Sequence, residues 1–240
     1  MTIHRFDSLE STNKYCEALN LAEVEGFSCF WALEQTAGIG QRGNHWASAT
    51  GENLTFSLVL KPTFLSAAMQ FRLTQALSLA IADFLSPLAH LQPSIKWPND
   101  IYVNGRKICG TLTSARISGD VIASAICGIG LNVNQTVFPD WVPNPTSLRL
   151  LTGKIYALEP LLHDLLSCIE RRYEALRRGD DPNEEYLSLL LNRGVVARYL
   201  YQDREITATV TGVDTHGRLL LDAADGRHLC CAMKEITWLP

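Results

Sequence analysis

The chain has 240 residues, 47% of them hydrophobic, with 21 Lys and Arg against 25 Asp and Glu, for a formal net charge of −4. That length and apolar content suit one large globular domain plus a small one, and the mild negative balance gives no reason to expect nucleic acid as an electrostatic partner. The seven cysteines are scattered without a CxxC pair, which excludes the usual zinc and disulfide frameworks, and with no signal peptide or long apolar run the expected compartment is the cytosol, away from membranes.

In chain order, residues 3–6 read as a short strand, and Tyr15, Leu19 and Ala22 fall at helical spacing within a helix over 13–22. Ser11 or Thr12 can cap its start. A strand over 27–33 leads into residues 34–46, EQTAGIGQRGNHW, and a strand over 53–60, NLTFSLVL, follows. Glycines at 38, 40 and 43 let a ligand approach the main chain, and Gln35, Gln41, Arg42, Asn44 and His45 interleave with them. A dinucleotide fingerprint needs a helix after the glycines and a P-loop needs Gly-Lys-Ser/Thr; this loop joins two strands and has neither. Its backbone N–H groups suit an anionic or amide-bearing ligand, with a long solvated hairpin connection as the alternative. Residues 66–87 carry one broad apolar stripe, a helix ended by Pro87 that buries against the sheet.

The second dense stretch is 94–110, SIKWPNDIYVNGRKICG. Asn104-Gly105 is a type I′ turn signal, so 100–103 and 106–113 should pair antiparallel, with Trp97-Pro98-Asn99 as a bend or an edge. Lys96, Asn99, Asp100, Arg106 and Lys107 gather beside this hairpin. Lysine is a point charge suited to phosphate, and Asp100 could hold a metal or position an attacking group; ordinary surface charge on a solvated hairpin is the alternative. Residues 114–119 read as a turn. The strand over 120–132 contains Gly128 and Gly130, which let a ligand or another backbone approach, and ends at Asn132. A Pro-rich loop, an amphipathic helix over 155–178 and a short helix over 183–191 follow. Arg171, Arg172, Arg177 and Arg178 read as helix-end and solvation features. Cys109, Cys127, Cys168, Cys230 and Cys231 read as small buried residues. From Arg193 onward, short strands over 195–201, 205–213, 218–222 and 227–231 suggest a small antiparallel barrel, with the domain boundary near Asn192.

Together, Ser11-Thr12-Asn13, the 35–46 loop, Lys96-Trp97-Pro98-Asn99-Asp100, Arg106-Lys107 with Gly110, Gly128-Ile129-Gly130-Leu131-Asn132 and the C-terminal strands resemble the biotin protein ligases, also called holocarboxylase synthetases, over nearly the whole chain. The resemblance implies an α+β fold: a mixed β-sheet backed by helices as the catalytic domain over 1–191, and a small SH3-like β-barrel over 192–240. It implies the ligase-only form, since the chain lacks room for an N-terminal DNA-binding domain. The implied reaction activates biotin with ATP as biotinyl-5′-AMP, then passes biotin to a lysine of a biotin carboxyl carrier protein, with Mg2+ as cofactor. Family members occur as monomers and as sheet-to-sheet homodimers.

By the same resemblance, Ser11 and Thr12 match positions that bind the ureido end of biotin, Gln35 a biotin-pocket glutamine, and Gly38 a backbone contact beside it, with Gly40 continuing the loop. Lys107 matches the lysine that bridges the biotin carboxylate and the α-phosphate. Asn99 and Asp100 match motif positions near the nucleotide and metal, and Lys96 is grouped with them. Gly110, Gly128 and Gly130 match a floor of close backbone contacts, Asn132 lies near the adenylate, and Trp46 stands at the nucleotide end of the loop. Glu235, expected in the last barrel strand, matches a position that closes against the nucleotide. The family loop usually reads Gly-Arg-Gly-Arg or Gly-Arg-Gly-Gln. Here Gly38-Ile39-Gly40-Gln41 lacks the first arginine and has glutamine for the second, leaving Gln41 and the neighbouring Arg42 as catalytic candidates. Cys231-Ala232-Met233-Lys234 is similar to the acceptor tetrapeptide of biotin carriers, read as coincidence because Lys234 is expected in a strand. A lipoate or octanoate ligase shares the catalytic fold but binds no ureido group. A non-catalytic biotin or nucleotide sensor of that fold would explain the missing arginines, though Lys107 and Asp100 argue against it.

Overall fold

The computed structural model describes residues 2–88 and 90–239, apart from the Arg42 side chain. A seven-stranded mixed sheet organises the larger part. Its strands are β1 (Thr2–Leu9), β2 (Ser28–Gln35), β3 (Leu54–Leu60), β4 (Pro93–Lys96), β5 (Asp100–Val103), β6 (Arg106–Ser118) and β7 (Val121–Leu131), in the spatial order β1-β2-β3-β7-β6-β5-β4. Only β1 and β2 run parallel.

The two faces of this sheet do different work, and the period of 2 along each strand assigns them. Leu54, Phe56, Leu58 and Leu60 of β3 join the main core with α2 (Gln70–Leu85) and α4 (Leu158–Arg177). Each such side chain, when fully buried, contributes about 1.5–3 kcal/mol. Arg172 of α4 ties that layer together, meeting Asp83 of α2 at 2.7 Å and Glu185 of α5 (Asn183–Ser188) at 2.7 Å; it is a structural clasp and not only a solvated helix-end residue. The opposite face carries α1 (Thr12–Glu17) on a small cluster of Cys16, Leu21, Phe30, Val59 and Ile126. On that second face the sheet also presents Ser57, Gly128 and Gly130, and the glycine-rich loop folds over it.

Several boundaries differ from the sequence reading. α1 stops at Glu17 because Asn20 forms a local turn, accepting from the Ala22 N–H at 3.3 Å and donating to Glu23 at 2.7 Å. Residues 114–118 continue β6 as the outer part of a long hairpin with β7; the turn is at Gly119, with φ +58°. The long helix begins at Leu158, after a separate α3 (Leu148–Thr152) whose start Ser147 caps and whose end Gly153 terminates in the left-handed conformation. After α5 the chain turns and meets β4 at one parallel bridge, Leu190 with Ile95, where Ile95 N–H donates to Leu189 O at 2.7 Å and Leu191 N–H donates to Ile95 O at 2.8 Å. Cys230 is exposed and Cys168 partly so, whereas Cys109, Cys127 and Cys231 are buried. The Asn104-Gly105 turn forms as expected, both residues at positive φ.

The expected C-terminal SH3-like barrel is replaced by an open sheet. β8 (Val196–Tyr201), β9 (Arg204–Val213), β10 (Leu219–Ala223), β11 (His228–Cys231) and β12 (Ile236–Trp238) lie in the order β11-β10-β9-β8-β12. The two edge strands are successive in sequence, joined by residues 232–235. That link spans at most about 17 Å, whereas the edges of a flat five-stranded sheet lie about 19 Å apart, so the sheet must curl. It does not close: β11 pairs with β10 and β12 with β8, and no ladder joins β11 to β12 among the described residues.

Candidate active site

A cavity of about 710 Å³ opens on the second face of the large sheet, bounded by the glycine-rich loop, the β4–β6 hairpins, the 138–145 loop and β12. That size is ordinary for a small-molecule site.

One end of it is polar and neutral. Ser11, Thr12 and Asn13 at the start of α1 are all buried, as is Ser57 beneath them on β3. The Thr12 N–H donates to Gln35 Oε1 at 2.7 Å, and the Thr12 hydroxyl lies 3.1 Å from the same oxygen. Ser57 donates to Asn13 Oδ1 at 2.5 Å and lies 2.7 Å from the Thr12 hydroxyl. A hydroxyl has one proton and an amide oxygen only accepts, so the Ser57 proton is committed to Asn13 and the Thr12 proton goes to Ser57 or Gln35. The free lone pairs of Thr12 can therefore accept from a ligand. Ser11 stands at the N-cap position but makes no cap bond; its hydroxyl is buried with no partner among the described residues. A buried hydroxyl without a partner is costly unless a ligand supplies one. The Trp46 Nε1 and Asn132 Oδ1 atoms are in the same condition and also line the cavity.

The floor is bare backbone for a steric reason. A Cβ on Gly130 would lie 2.3 Å from the Trp46 ring, and one on Gly128 would lie 2.3 Å from Asn13 Oδ1. Only glycine lets the indole and the α1 amide lie flat on β7.

The other end is charged. Lys107 Nζ meets Asp100 Oδ2 at 2.7 Å and lies 5.8 Å from the Trp46 ring centroid. A β-bulge places it there: Ile101 pairs with Cys109 but Tyr102 pairs with Lys107, leaving Ile108 as the extra residue. The bulge brings Lys107 to the face of Gly110, where a Cβ would sit 3.2 Å from Lys107 Cε. Lys96 pairs across the strands with Asp100 and lies 5.5 Å from the Tyr102 ring centroid. Burial lowers the Lys96 pKa; Asp100 opposes that shift and Lys107 adds to it. Burial, with Asp100 nearby, pushes the Tyr102 phenol up to about 12. Two ammonium groups against one carboxylate leave this end net cationic, as an anionic ligand requires.

The cavity thus gathers Ser11, Thr12, Gln35, Gly40, Gln41, Trp46, Lys96, Asp100, Lys107, Gly110, Gly128, Gly130 and Asn132. Gly38 lies behind the loop, in an adjoining smaller recess. Asn99 turns away into the sheet, donating to Thr111 O at 2.6 Å. Glu235 is not in a strand: it sits exposed in the 232–235 turn and caps the Ala232 N–H at 2.7 Å. Lys234 is in the same turn, at φ +86°, which corrects its placement in a strand. The Arg42 side chain lies outside the described residues. Sequence reasoning missed Ser57, whose only signal was a hydroxyl inside an apolar strand, and the aromatic wall of Phe138, Trp141 and Trp238. Trp238 is held by Tyr199, with ring centroids 5.0 Å apart.

Because its hydroxyl has no partner among the described residues and its burial is costly, Ser11→Ala should hold or raise Tm. It should weaken ligand binding at this end by about 2–13-fold, the equivalent of one neutral hydrogen bond. Thermal melts and calorimetric titration with biotin check this; a lowered Tm with unchanged affinity would reverse the assignment.

Residues 5–132 match the Biotin/lipoate A/B protein ligase family, and residues 190–237 match the Biotin protein ligase C terminal domain. The bifunctional ligase/repressor BirA of Bacillus subtilis (strain 168) is 32% identical over 227 residues, covering 92% of this chain and 69% of that protein. The biotin--[acetyl-CoA-carboxylase] ligase of Paracoccus denitrificans is 36% identical over 234 residues, 92% of this chain and 94% of its own length. Among solved structures, the biotin protein ligase from Aquifex aeolicus in complex with biotin and ATP superposes with a TM-score of 0.81 at 26% identity, covering 98% of this chain and 97% of that one. The two family matches, with relatives 32% and 36% identical over 92% of the chain, place the chain in the biotin protein ligase family, and its neutral hydrogen-bonding pocket joined to a cationic cleft agrees with that membership.

Proposed function

We infer that this chain is an ATP-dependent biotin protein ligase that makes biotinyl-5′-AMP and transfers biotin to a lysine of a biotin carboxyl carrier protein. The observation that carries this reading is the continuity of the neutral Ser11–Thr12–Gln35 pocket with the Lys96–Asp100–Lys107 cluster in one cavity. A cyclic urea needs donors and acceptors together, which the first supplies. A carboxylate meeting a triphosphate needs positive charge, which the second supplies.

In the first step an oxygen of the biotin carboxylate bonds to the α-phosphorus as the bond to the pyrophosphate oxygen breaks. Lys107 sits where it can offset charge on both the carboxylate and the α-phosphate, stabilising the charged transition state more than the ground state. Lys96 adds charge on the phosphate side. Trp46 and the Gly110, Gly128 and Gly130 floor exclude water from the mixed anhydride. In the second step a deprotonated carrier lysine attacks the biotin carbonyl carbon, and AMP leaves with the bonding electron pair. Magnesium typically uses one or two protein carboxylates and shares substrate phosphates, so Asp100, the carboxylate of this cluster, fits as its protein ligand. Bound there, the metal would neutralise phosphate charge. Gln41 and Arg42 are the loop residues assigned to the adenylate, and Glu235 is assigned to closure of the C-terminal unit.

We divide the chain into a catalytic unit over 1–191 and a C-terminal unit over 192–240. A cytoplasmic enzyme acting as a monomer or a weak homodimer is the working state; no helix among the described residues is long and apolar enough to cross a membrane.

The test is mass spectrometry of a purified carrier domain after incubation with the chain, biotin, ATP and magnesium. One biotin on one carrier lysine, with release of pyrophosphate and AMP, is expected. Transfer of lipoate or octanoate but not biotin would overturn the reading, as would tight biotin binding without AMP release.

A further inference from the structure

The turn that delivers Asp100 to the cavity is held from behind. β4 ends at Lys96 and β5 begins at Asp100, so three residues reverse the chain. Tyr186 of α5, with no exposed surface, donates its hydroxyl proton to Pro98 O at 2.8 Å. The Trp97 Nε1–H donates to Gly217 O at 2.9 Å, across to the β9–β10 turn of the C-terminal sheet. Phe71 of α2 fills the space between, edge-on to Tyr186 with centroids 5.7 Å apart. Gly217, at φ +83°, lies so close to the Phe71 ring that a Cβ there would stand 2.3 Å from it. Tyr186 and Gly217 lie outside the cavity, whereas Trp97 and Pro98, the residues they anchor, line it. The two anchoring bonds end on consecutive residues directly before Asn99 and Asp100, and the Ile95 backbone is bonded on both sides to the segment that follows Tyr186.

We propose that Tyr186 and the Gly217 carbonyl are positioning groups that aim Asp100, and through it Lys107, so that seating of the C-terminal sheet is coupled to adenylate formation. Asp100 and Lys107 are in hydrogen-bond contact at 2.7 Å, and catalytic geometry is sensitive at the scale of an ångström. A turn with both anchors in place holds the carboxylate on one bearing; with either removed, the carboxylate and the lysine it binds can drift together. Burial raises the Tyr186 phenol pKa, so the group stays a donor through the working pH range. The Ser11–Thr12–Gln35 end rests on β3 and α1 and takes no support from this brace.

The proposal rests on the biotin ligase reading. Tyr186→Phe and Trp97→Phe each remove one donor and keep an aromatic ring. In the full chain, pyrophosphate release is measured against ATP and biotin concentration, alongside biotin Kd without ATP and Tm. Each variant should lower kcat for adenylate formation about five- to tenfold, leave biotin Kd unchanged and lower Tm by about 2–4 °C, which leaves the enzyme folded at 25 °C. Tyr173→Phe, altering another buried tyrosine that lies outside the brace, should leave kcat unchanged. Unchanged kcat in both brace variants, or equal losses in kcat and biotin affinity, would overturn the proposal and leave the ligase reading intact. A wild-type chain that forms no adenylate would overturn both.

Discussion

Replacing Lys107 with alanine should lower the rate of adenylate formation by about 10²–10³, the effect of removing one preorganised oxyanion-type donor. The loss should fall on kcat more than on biotin affinity, because the ammonium interacts more strongly with the charge shared between carboxylate and α-phosphate in the transition state than with bound biotin. The fold should survive. The Lys107 backbone N–H donates to Asn144 O at 2.7 Å and its carbonyl accepts from the Thr146 N–H at 2.8 Å, and alanine keeps both. Asp100, left without its partner, is partly open to solvent and can be hydrated. Pyrophosphate release is the assay, with a thermal melt beside it. A variant within threefold of wild type would remove Lys107 from the reaction; one that fails to fold would make the Asp100 pair structural.

The same lysine marks where local sequence stops informing the fold. Its hairpin was legible because Asn104-Gly105 dictates a two-residue turn through its own backbone preferences. Its direction was not, since the Ile108 bulge exists only when two residues of β6 oppose one of β5. Ser11 shows a second limit. A serine before a helix has the same local chemistry whether it caps or binds, and only the burial of its unpartnered hydroxyl separates the two. The C-terminal strands were legible from their turns, but closure depends on whether two edges distant along the sheet pair, which no short window encodes. Residues 114–119 read as a turn, but only Gly119 turns: 114–118 pair through their backbone with β7, a long-range ladder that the local sequence does not encode. In the opposite sense, the cluster of Lys96, Asp100 and Lys107 was apparent as an excess of charge beside a short hairpin, and these three side chains do meet at one end of the cavity.

The glycine-rich loop leads to the second large effect: Gln41→Arg should retain biotinyl-5′-AMP more tightly than the natural chain. By the resemblance, related loops carry arginine where this one has Ile39 and arginine or glutamine where it has Gln41, so an arginine fork that could offset phosphate charge and hold the loop shut is absent from Gly38-Ile39-Gly40-Gln41. Gln41 opens a single 3₁₀ turn, Gln41–Gly43, and lines the cavity. It can donate hydrogen bonds but brings no net charge. The loop is nonetheless organised by its own backbone: Gly40 N–H donates to Asn44 O at 2.7 Å, and Trp46 N–H to Gly38 O at 2.9 Å. Loop order and loop charge are therefore separable, and the substitution tests the charge. A charged hydrogen bond is worth roughly 1.5–3 kcal/mol, or about 10–150-fold in the dissociation constant of the adenylate. Free adenylate is measured in the filtrate of a reaction run without carrier protein, for wild type and for Gln41→Arg. Less free adenylate from the arginine variant is expected, and equal amounts would reject the idea that this loop leaks. Adding Arg42→Ala to the natural loop then locates any compensating charge. A further large loss of adenylate assigns it to Arg42, whereas no change means that retention rests on the loop backbone and on Lys107.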